Sequence, residues 1–335
     1  MSSVSFMPLR IRPRVFLSVT IISLICAIAL ILPPASPPTV AYPATPAKTW
    51  PWAEESVHPL VRRMPAIAET SLESFADYIV GREPDPFLQV KALHDYVATR
   101  IDYDFSAYKR GHYPPQDART VFATRKAVCS GFARLLKALG EAAGVDMAYI
   151  PGDFRNPAGD LSGEGHAWNA AKIGGNWYLI DVTWNSGYLT PSRFISRYRT
   201  AYLFTPPEVM AMTHFPRDRK WQLLSSPLHR PEFTRQPLLD PNFFALGFEL
   251  IAPKWLPAGV RNSAEIWLKN RDRRWVLAEV VPPGGSPSRC APPTTRETPE
   301  ISCPVTRRGT HTVRLYSSDR RDGDYQYLGA FQFEK

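Results

Sequence analysis

The stretch from Cys129 to Asp181 constrains the fold more than any other part of the chain, because it predicts a helix followed by a hairpin. Apolar residues recur at helical spacing after the cysteine, at Phe132, Leu135, Leu136 and Leu139. Ser130 is the expected N-terminal cap, and Gly144 is the expected glycine just past the C-terminus. Cys129 therefore lies at the helix N-terminus, where unpaired backbone N–H groups and the helix dipole favour a thiolate.

The hairpin is predicted from two aromatic and aliphatic runs on either side of Gly174-Gly175. Two adjacent glycines between such runs are typical of a two-residue turn. If Ile173 pairs with Asn176, His166 has Asp181 as its diagonal neighbour on the same face. A three-residue loop would shift the register by one and send Asp181 to the other face. The side-chain geometry therefore depends on this turn.

Asp181 is expected inside the second strand of this hairpin, over residues 176–184. Strand propensity disfavours an aspartate there, and burying its charge is unfavourable without a partner. Alone, Cys129 could be a small buried hydrophobe and His166 a satisfied strand histidine. Together the three residues predict a nucleophile, a general base and its orienting acid. Attack of the thiolate on an amide carbonyl would give an acyl-thioester, with the Cys129 backbone N–H stabilising the oxyanion.

Several segments resemble the transglutaminase-like superfamily. Its core motifs are similar to residues 126–133, 165–169 and 177–184. Within it, the chain is most similar to the kyphoscoliosis-peptidase type, because residues 202–204 and 214–224 resemble the downstream signature of that group. The segments before the cysteine, 90–97 and 101–104, resemble the helix and extended stretch that precede it in such proteins.

This resemblance implies an α+β, papain-like fold (the transglutaminase core) with Cys129 as nucleophile, His166 as base and Asp181 as orienting acid. Two positions depart from the family pattern: Ser130, where many relatives carry an acidic residue, and His94, where tryptophan is frequent. The family alone does not choose the reaction. We expect a hydrolase (peptidase or amidase) acting on a peptide or amide; the alternatives are acyl transfer to an amine, as in protein-glutamine transferases, and a catalytically silent scaffold.

Other kinds of chemistry find no support in the sequence. The four cysteines include no CxxC pair and the histidines are scattered singly, so no zinc framework is predicted. No phosphate-binding loop, dinucleotide fingerprint or EF-hand loop is present. We therefore expect no cofactor, no metal and no calcium requirement.

The N-terminus predicts export. Residues 15–32 form an uncharged, mostly apolar run that follows three arginines, at positions 10, 12 and 14. This layout is typical of an export signal, and the run is just long enough to span a bilayer. We expect an uncleaved membrane anchor, with a cleaved signal as the alternative, and in either case an extracytoplasmic protein. A disulfide between Cys290 and Cys303 is expected in such a compartment.

Composition predicts four regions in the chain. These are a signal or anchor with a proline-rich tether (1–48), the transglutaminase-like domain (49–225), a linker (226–237) and a small all-β sandwich (238–335). The alternating stretches that predict the sandwich are 265–268, 275–278, 311–316 and 325–333. The net charge of +9 includes arginines of the last region, which either form a solvated basic face or attract an anionic envelope polymer or lipid headgroups. Nucleic acid is not an expected partner.

Overall fold

The computed structural model describes residues 50, 52, 55–156 and 161–335. The anchor and tether predicted over residues 1–48 lie outside this range. Within the part of the chain that the structure describes, no helix is long and apolar enough to cross a membrane.

Helices dominate residues 55–142, with one short parallel strand pair among them. Their packing buries Phe75, Leu93 and Phe132 in a hydrophobic core that also reaches the first sheet. In chain order the elements are α1 (Pro59–Arg62), α2 (Leu72–Val80), α3 (Pro86–Arg100), β1 (Asp102–Tyr103), α4 (Phe105–Arg110), α5 (Ala118–Thr124), β2 (Lys126–Ala127) and α6 (Cys129–Ala142), with a 3-10 turn at Ala66–Glu69 before α2.

The helix predicted at the cysteine is α6, and its first turn differs from the prediction. Val128, with an extended backbone, is the N-cap, so Ser130 lies inside the first turn and is not the cap. The side-chain oxygen of Gln116 accepts the Val128 N–H at 2.9 Å, so another segment satisfies the N–H of the N-cap residue itself. Gly144 follows the helix with a φ of +74°, as predicted for the glycine past its end.

An antiparallel sheet follows, in the order β8-β5-β4-β3-β9. Helix α6 packs against β4, where the side-chain amide of Asn169 donates to the carbonyl of Ala133 at 2.9 Å. The elements are β3 (Met147–Arg155), β4 (Leu161–Ile173), β5 (Asn176–Ile180), α7 (Val182–Ser186), β6 (Gly187–Leu189), β7 (Phe194–Ser196), β8 (Leu203–Thr205), α8 (Pro207–Met210) and β9 (His214–Pro216), followed by a 3-10 turn at Arg219–Gln222.

The predicted turn register is confirmed, because Ile173 pairs with Asn176 across Gly174-Gly175. The predicted length of the second strand is wrong, because β5 ends at Ile180 and the chain turns into α7. Asp181 is not inside a strand: it is the N-cap of α7, and its carboxylate accepts the Thr183 and Trp184 N–H groups at 2.9 and 3.0 Å. Aspartate satisfies a helix start far better than a strand interior.

The C-terminal region is rich in strands, as expected, and its two sheets enclose one hydrophobic core that includes Ile266, Leu315 and Phe331. All four predicted stretches contribute to strands, and the Cys290–Cys303 disulfide is present. The elements are α9 (Arg230–Arg235), β10 (Leu238–Leu239), α10 (Pro241–Ala245), β11 (Phe248–Ala252), β12 (Ala258–Gly259), β13 (Ser263–Asn270), β14 (Trp275–Val281), β15 (Ser288–Arg289), β16 (Glu300–Pro304), β17 (Thr310–Ser318) and β18 (Gln326–Glu334).

Helix α9 lies in the segment predicted as a linker. Its Phe233 is fully buried, with its ring 5.1 Å from that of Phe215 just after the start of β9. The amide of Gln236, at the end of the same segment, donates to the carbonyl of Ala211 at 2.9 Å. The segment is therefore packed against the preceding sheet region, and the domain boundaries at 225 and 238 stay a prediction.

Candidate active site

The structure brings Cys129, His166 and Asp181 together from three different elements. Cys129 is the first residue of α6, His166 lies on β4, and Asp181 caps α7. His166 Nε2 is 2.7 Å from Asp181 Oδ2, and Cys129 lies close enough to the ring to help raise the His166 pKa. Because Nε2 is committed to Asp181, Nδ1 is the ring nitrogen that remains for another partner. Cys129 is half-buried and is the free cysteine of the described residues.

The environment of His166 favours its protonated form. Burial alone would lower its pKa, since the side chain is only 4% exposed. The negative charge of Asp181, the hydrogen bond to it and the hydrogen bond to Cys129 outweigh that effect and raise the His166 pKa to about 10. An imidazolium beside a thiol at a helix N-terminus is the setting that stabilises a thiolate.

Asp181 is fully buried and accepts four hydrogen bonds. Oδ1 takes the two backbone N–H groups at the start of α7, and Oδ2 takes His166 and a second histidine, His214, at 2.7 and 3.0 Å. Burial would raise its pKa, but the His166 charge and the hydrogen bonds from both histidines hold the pKa of the carboxyl well below its usual range. The carboxylate is therefore ionised and fixed in orientation.

His214 is the residue of this site that sequence reasoning did not single out. It was noted only as part of a motif that resembles a family signature, and nothing local marks it as a neighbour of Asp181. The sheet brings it there: β9 and β4 both pair with β3, so that Gly152 lies between His166 and Pro216. Only this strand order, which the sequence did not reveal, places a second histidine at the carboxylate.

The ligand atoms of His166, Asp181 and His214 lie within 4.8 Å of one another, a spacing that a metal ion could bridge. Both histidine nitrogens already point at the same carboxylate oxygen at hydrogen-bond distance. The Nε2 hydrogens of both histidines would have to leave before a cation could bind all three side chains. We therefore interpret the cluster as a hydrogen-bond network.

Two tryptophans lie next to His166 and His214, and they differ in burial. Trp168 is 1% exposed and packs in a core with Ile150 and Leu179, so it is a core residue. Trp184 is half-buried, and its ring centre is 5.7 Å from that of His166 and 4.4 Å from that of His214. Trp184 is therefore the tryptophan that lies over the site.

A second buried network supports α7 from the other side. Asp95 on α3 accepts hydrogen bonds from Lys91, His94, the Tyr198 hydroxyl and the backbone N–H of His58. His94 is itself fully buried, and its Nε2 accepts from the side-chain amide of Asn185, on α7, at 2.9 Å. A continuous run of hydrogen bonds therefore joins α3 to the helix that Asp181 caps.

Comparison with known proteins identifies the same region. A protein-family model described as the transglutaminase-like superfamily matches residues 73–182. Kyphoscoliosis peptidase of Mus musculus is 33% identical over 194 residues, which cover 55% of this chain and 29% of the mouse protein. The Lim and transglutaminase domain protein ltd-1 of Caenorhabditis elegans is 28% identical over 133 residues, covering 36% of this chain and 17% of that protein.

A solved structure described as a TGase is 23% identical and covers 38% of this chain and 32% of that chain, with a TM-score of 0.27. The chain thus spans less than a third of the length of the curated relatives it matches. The match to the family model, over residues 73–182, includes Cys129, His166 and Asp181.

Proposed function

We propose, from the premise that residues 73–182 form a transglutaminase-like domain of the kyphoscoliosis-peptidase type, that the protein is a cysteine hydrolase of peptide or amide bonds. Cys129 is the nucleophile and His166 is the general base and acid. Asp181 orients the His166 ring and stabilises its protonated form. The observation that carries this proposal is the hydrogen bond between His166 and the buried Asp181, together with Cys129 close enough to His166 to help raise its pKa.

The proposed reaction has two stages. The Cys129 thiolate attacks the amide carbonyl, and the Cys129 backbone N–H at the start of α6 helps to hold the oxyanion. His166, which carries the thiol proton, donates it to the leaving amine, so that an acyl-thioester remains. Water then attacks the thioester, with His166 as the base, and the acid product leaves. Asp181 stays ionised throughout and keeps the ring in place.

The pH dependence of Cys129 alkylation by iodoacetamide tests this proposal. We expect the rate to stay high well below pH 7, because a thiolate paired with the His166 imidazolium persists below the ordinary thiol pKa of about 8.5. His166→Ala should remove this low-pH reactivity and lower the rate near pH 6 by roughly 300-fold, because only about 0.3% of an ordinary thiol of pKa about 8.5 is ionised at that pH. Mass spectrometry of the Cys129 peptide measures both rates.

His112→Ala is the matched control, because this exposed histidine lies on the surface and should leave the profile unchanged. A wild-type thiol that titrates near 8.5, or one that is unreactive at every pH, would refute the nucleophile. The scaffold interpretation would then gain support, since it requires nothing of Cys129.

Hydrolysis and transfer differ in what resolves the thioester. Adding a primary amine at millimolar concentration to a wild-type reaction should leave the free acid as the main product, because we propose water as the acceptor. Incorporation of the amine into most of the product, scored by mass spectrometry and absent in Cys129→Ala, would instead establish the transferase alternative. The same reaction can be run after calcium has been removed with a chelator. We expect the hydrolytic activity to persist under that condition.

Compartment and partner belong to the same proposal. The Cys290–Cys303 disulfide supports an oxidising, extracytoplasmic location. Arg134, on the helix that begins at Cys129, is exposed and lies over the Tyr149 ring at 5.1 Å, and Arg217, just after β9, is also exposed. Positive charge at that place favours a substrate that carries negative charge, such as an anionic polymer of the cell envelope.

A further inference from the structure

His214 is a fully buried polar side chain beside the candidate triad, and no step of the proposed reaction uses it. Its Nε2 is 3.0 Å from Asp181 Oδ2, and its Nδ1 is 2.9 Å from the Thr213 hydroxyl. The side chain is 0% exposed. An apolar residue would fill the same space without the need to satisfy two ring nitrogens, so the histidine calls for a chemical explanation.

We propose that His214 is a positioning residue that stays neutral, donates its Nε2 hydrogen to Asp181, and thereby sets how strongly that carboxylate holds the His166 imidazolium. This inference rests on the proposed function. It assigns to β9 a role in the chemistry of a site whose nucleophile and base lie on α6 and β4.

The hydrogen bonds define the tautomer. Asp181 is ionised and can only accept, so the hydrogen of the His214 ring lies on Nε2. Nδ1 is then an acceptor, and the Thr213 hydroxyl donates to it. With two backbone N–H groups on Oδ1 and two ring N–H groups on Oδ2, the Asp181 carboxylate cannot rotate without breaking a bond.

The surroundings keep His214 neutral. Burial lowers its pKa and the positive charge of His166 lowers it further, which together outweigh the hydrogen bond and charge of Asp181 and the backbone carbonyl of Met210. The titratable groups that face the ring are Asp181 from the α7 cap, His166 from β4, with ring centres 5.5 Å apart, and Tyr202, 5.6 Å away. Burial raises the pKa of Tyr202, so its hydroxyl carries no charge. Trp168 and Trp184 complete the enclosure.

The effect on His166 has a definite sign. The positive end of the His214 N–H dipole points at the oxygen that binds His166, so it draws negative charge away from that hydrogen bond. Removal of the donor would raise the proton affinity of both Asp181 and His166 and would also free the carboxylate to turn. His214 therefore lowers the pKa of His166 and also fixes the orientation of the Asp181 carboxylate.

Two variants separate this role from packing. His214→Phe keeps a ring and removes the donor, while His214→Gln keeps a donor on a smaller side chain. In the full chain we measure the His166 titration by NMR and the iodoacetamide profile of Cys129. For His214→Phe we expect the His166 pKa to rise by about one pH unit and the alkylation rate of Cys129 near neutral pH to fall about tenfold, the effect of one lost hydrogen bond to a charged group. His214→Gln should recover most of both changes.

Thr213→Val is the second test if the phenylalanine variant does not fold. It removes the hydroxyl that fixes the ring tautomer, and we expect a smaller shift in the same direction. An unshifted His166 titration in both His214→Phe and Thr213→Val would overturn the proposal, as would equal shifts in the phenylalanine and glutamine variants. If the wild-type thiol proves inert toward iodoacetamide, the proposed function fails, and the NMR titration of His166 alone still decides the role of His214.

Discussion

Asp181→Asn is expected to lower the turnover of a peptide or amide substrate on the order of 10³- to 10⁴-fold while the fold is retained. The substituted amide keeps an oxygen that can accept the two N–H groups at the start of α7, so the helix cap survives. It loses the charge that holds the His166 proton, and its NH₂ group would donate to His166 Nε2. The ring would then carry its hydrogen on Nδ1 and could not accept the proton of Cys129.

The pH dependence of this variant follows from the His166 pKa. In the wild type that pKa is raised to about 10, so the protonated ring persists until the pH approaches 10, and its pairing stabilises the folded state fully below the ordinary value of 6.5. In the variant the His166 ring is still buried, but the negative charge that opposed the effect of burial is gone. The His166 pKa therefore falls below 6.5. Below pH 7 the Cys129 thiol of this variant would therefore lack its imidazolium partner and should lose most of its rate of alkylation by iodoacetamide.

Asp146→Asn is the matched control for Asp181→Asn. It removes the same charge from an exposed carboxylate that lies immediately before β3. It should leave both the turnover and the profile unchanged. An Asp181→Asn protein with wild-type alkylation and turnover would show that the charge of Asp181 plays no part in the chemistry.

The local part of this site could be predicted from the sequence. The cysteine at a helix start and the two-residue turn are encoded within a few neighbours each, so apolar spacing and Gly174-Gly175 were enough to find them. Asp181 was also predicted to need a partner, and it has one. The prediction that Asp181 lies inside a strand was wrong. Because aspartate is unfavourable in a strand and is a strong helix cap, its presence could equally have indicated that the strand ends there.

The non-local part could not be predicted in this way. His214 is 33 residues from Asp181 in the chain, and Asn185 is 91 residues from the His94 ring that it contacts. Such contacts depend on strand order and on how α3 packs against α7, and a single sequence contains no periodicity that reports either. His94 was noted only as a departure from a family pattern. Its place in a buried network explains why a polar residue is accommodated there.

The same network gives the largest expected effect on stability. Lys91 and Asp95 form an ion pair one turn apart on α3, with side chains that are 4% and 0% exposed. Asp95→Asn leaves the Lys91 charge buried without its counter-charge, and we expect a loss of about 3–5 kcal/mol in the free energy of unfolding. Glu141→Gln breaks a pair of the same spacing on α6, Lys137–Glu141, which is exposed to solvent, and should change stability by less than about 0.5 kcal/mol.

Urea unfolding of the two variants as a function of pH separates the charge of Asp95 from its packing. Burial would raise the Asp95 pKa, but the hydrogen bond from His94 and the charge and hydrogen bond of Lys91 lower it below the ordinary value of 3.8. The ionised carboxylate therefore stabilises the fold fully above pH about 4, and the difference between wild type and Asp95→Asn should narrow as the pH falls further. Adding Lys91→Met to Asp95→Asn should restore part of the loss, because it removes the unpaired charge. A double variant no more stable than Asp95→Asn alone would show that the buried lysine charge is not the cause.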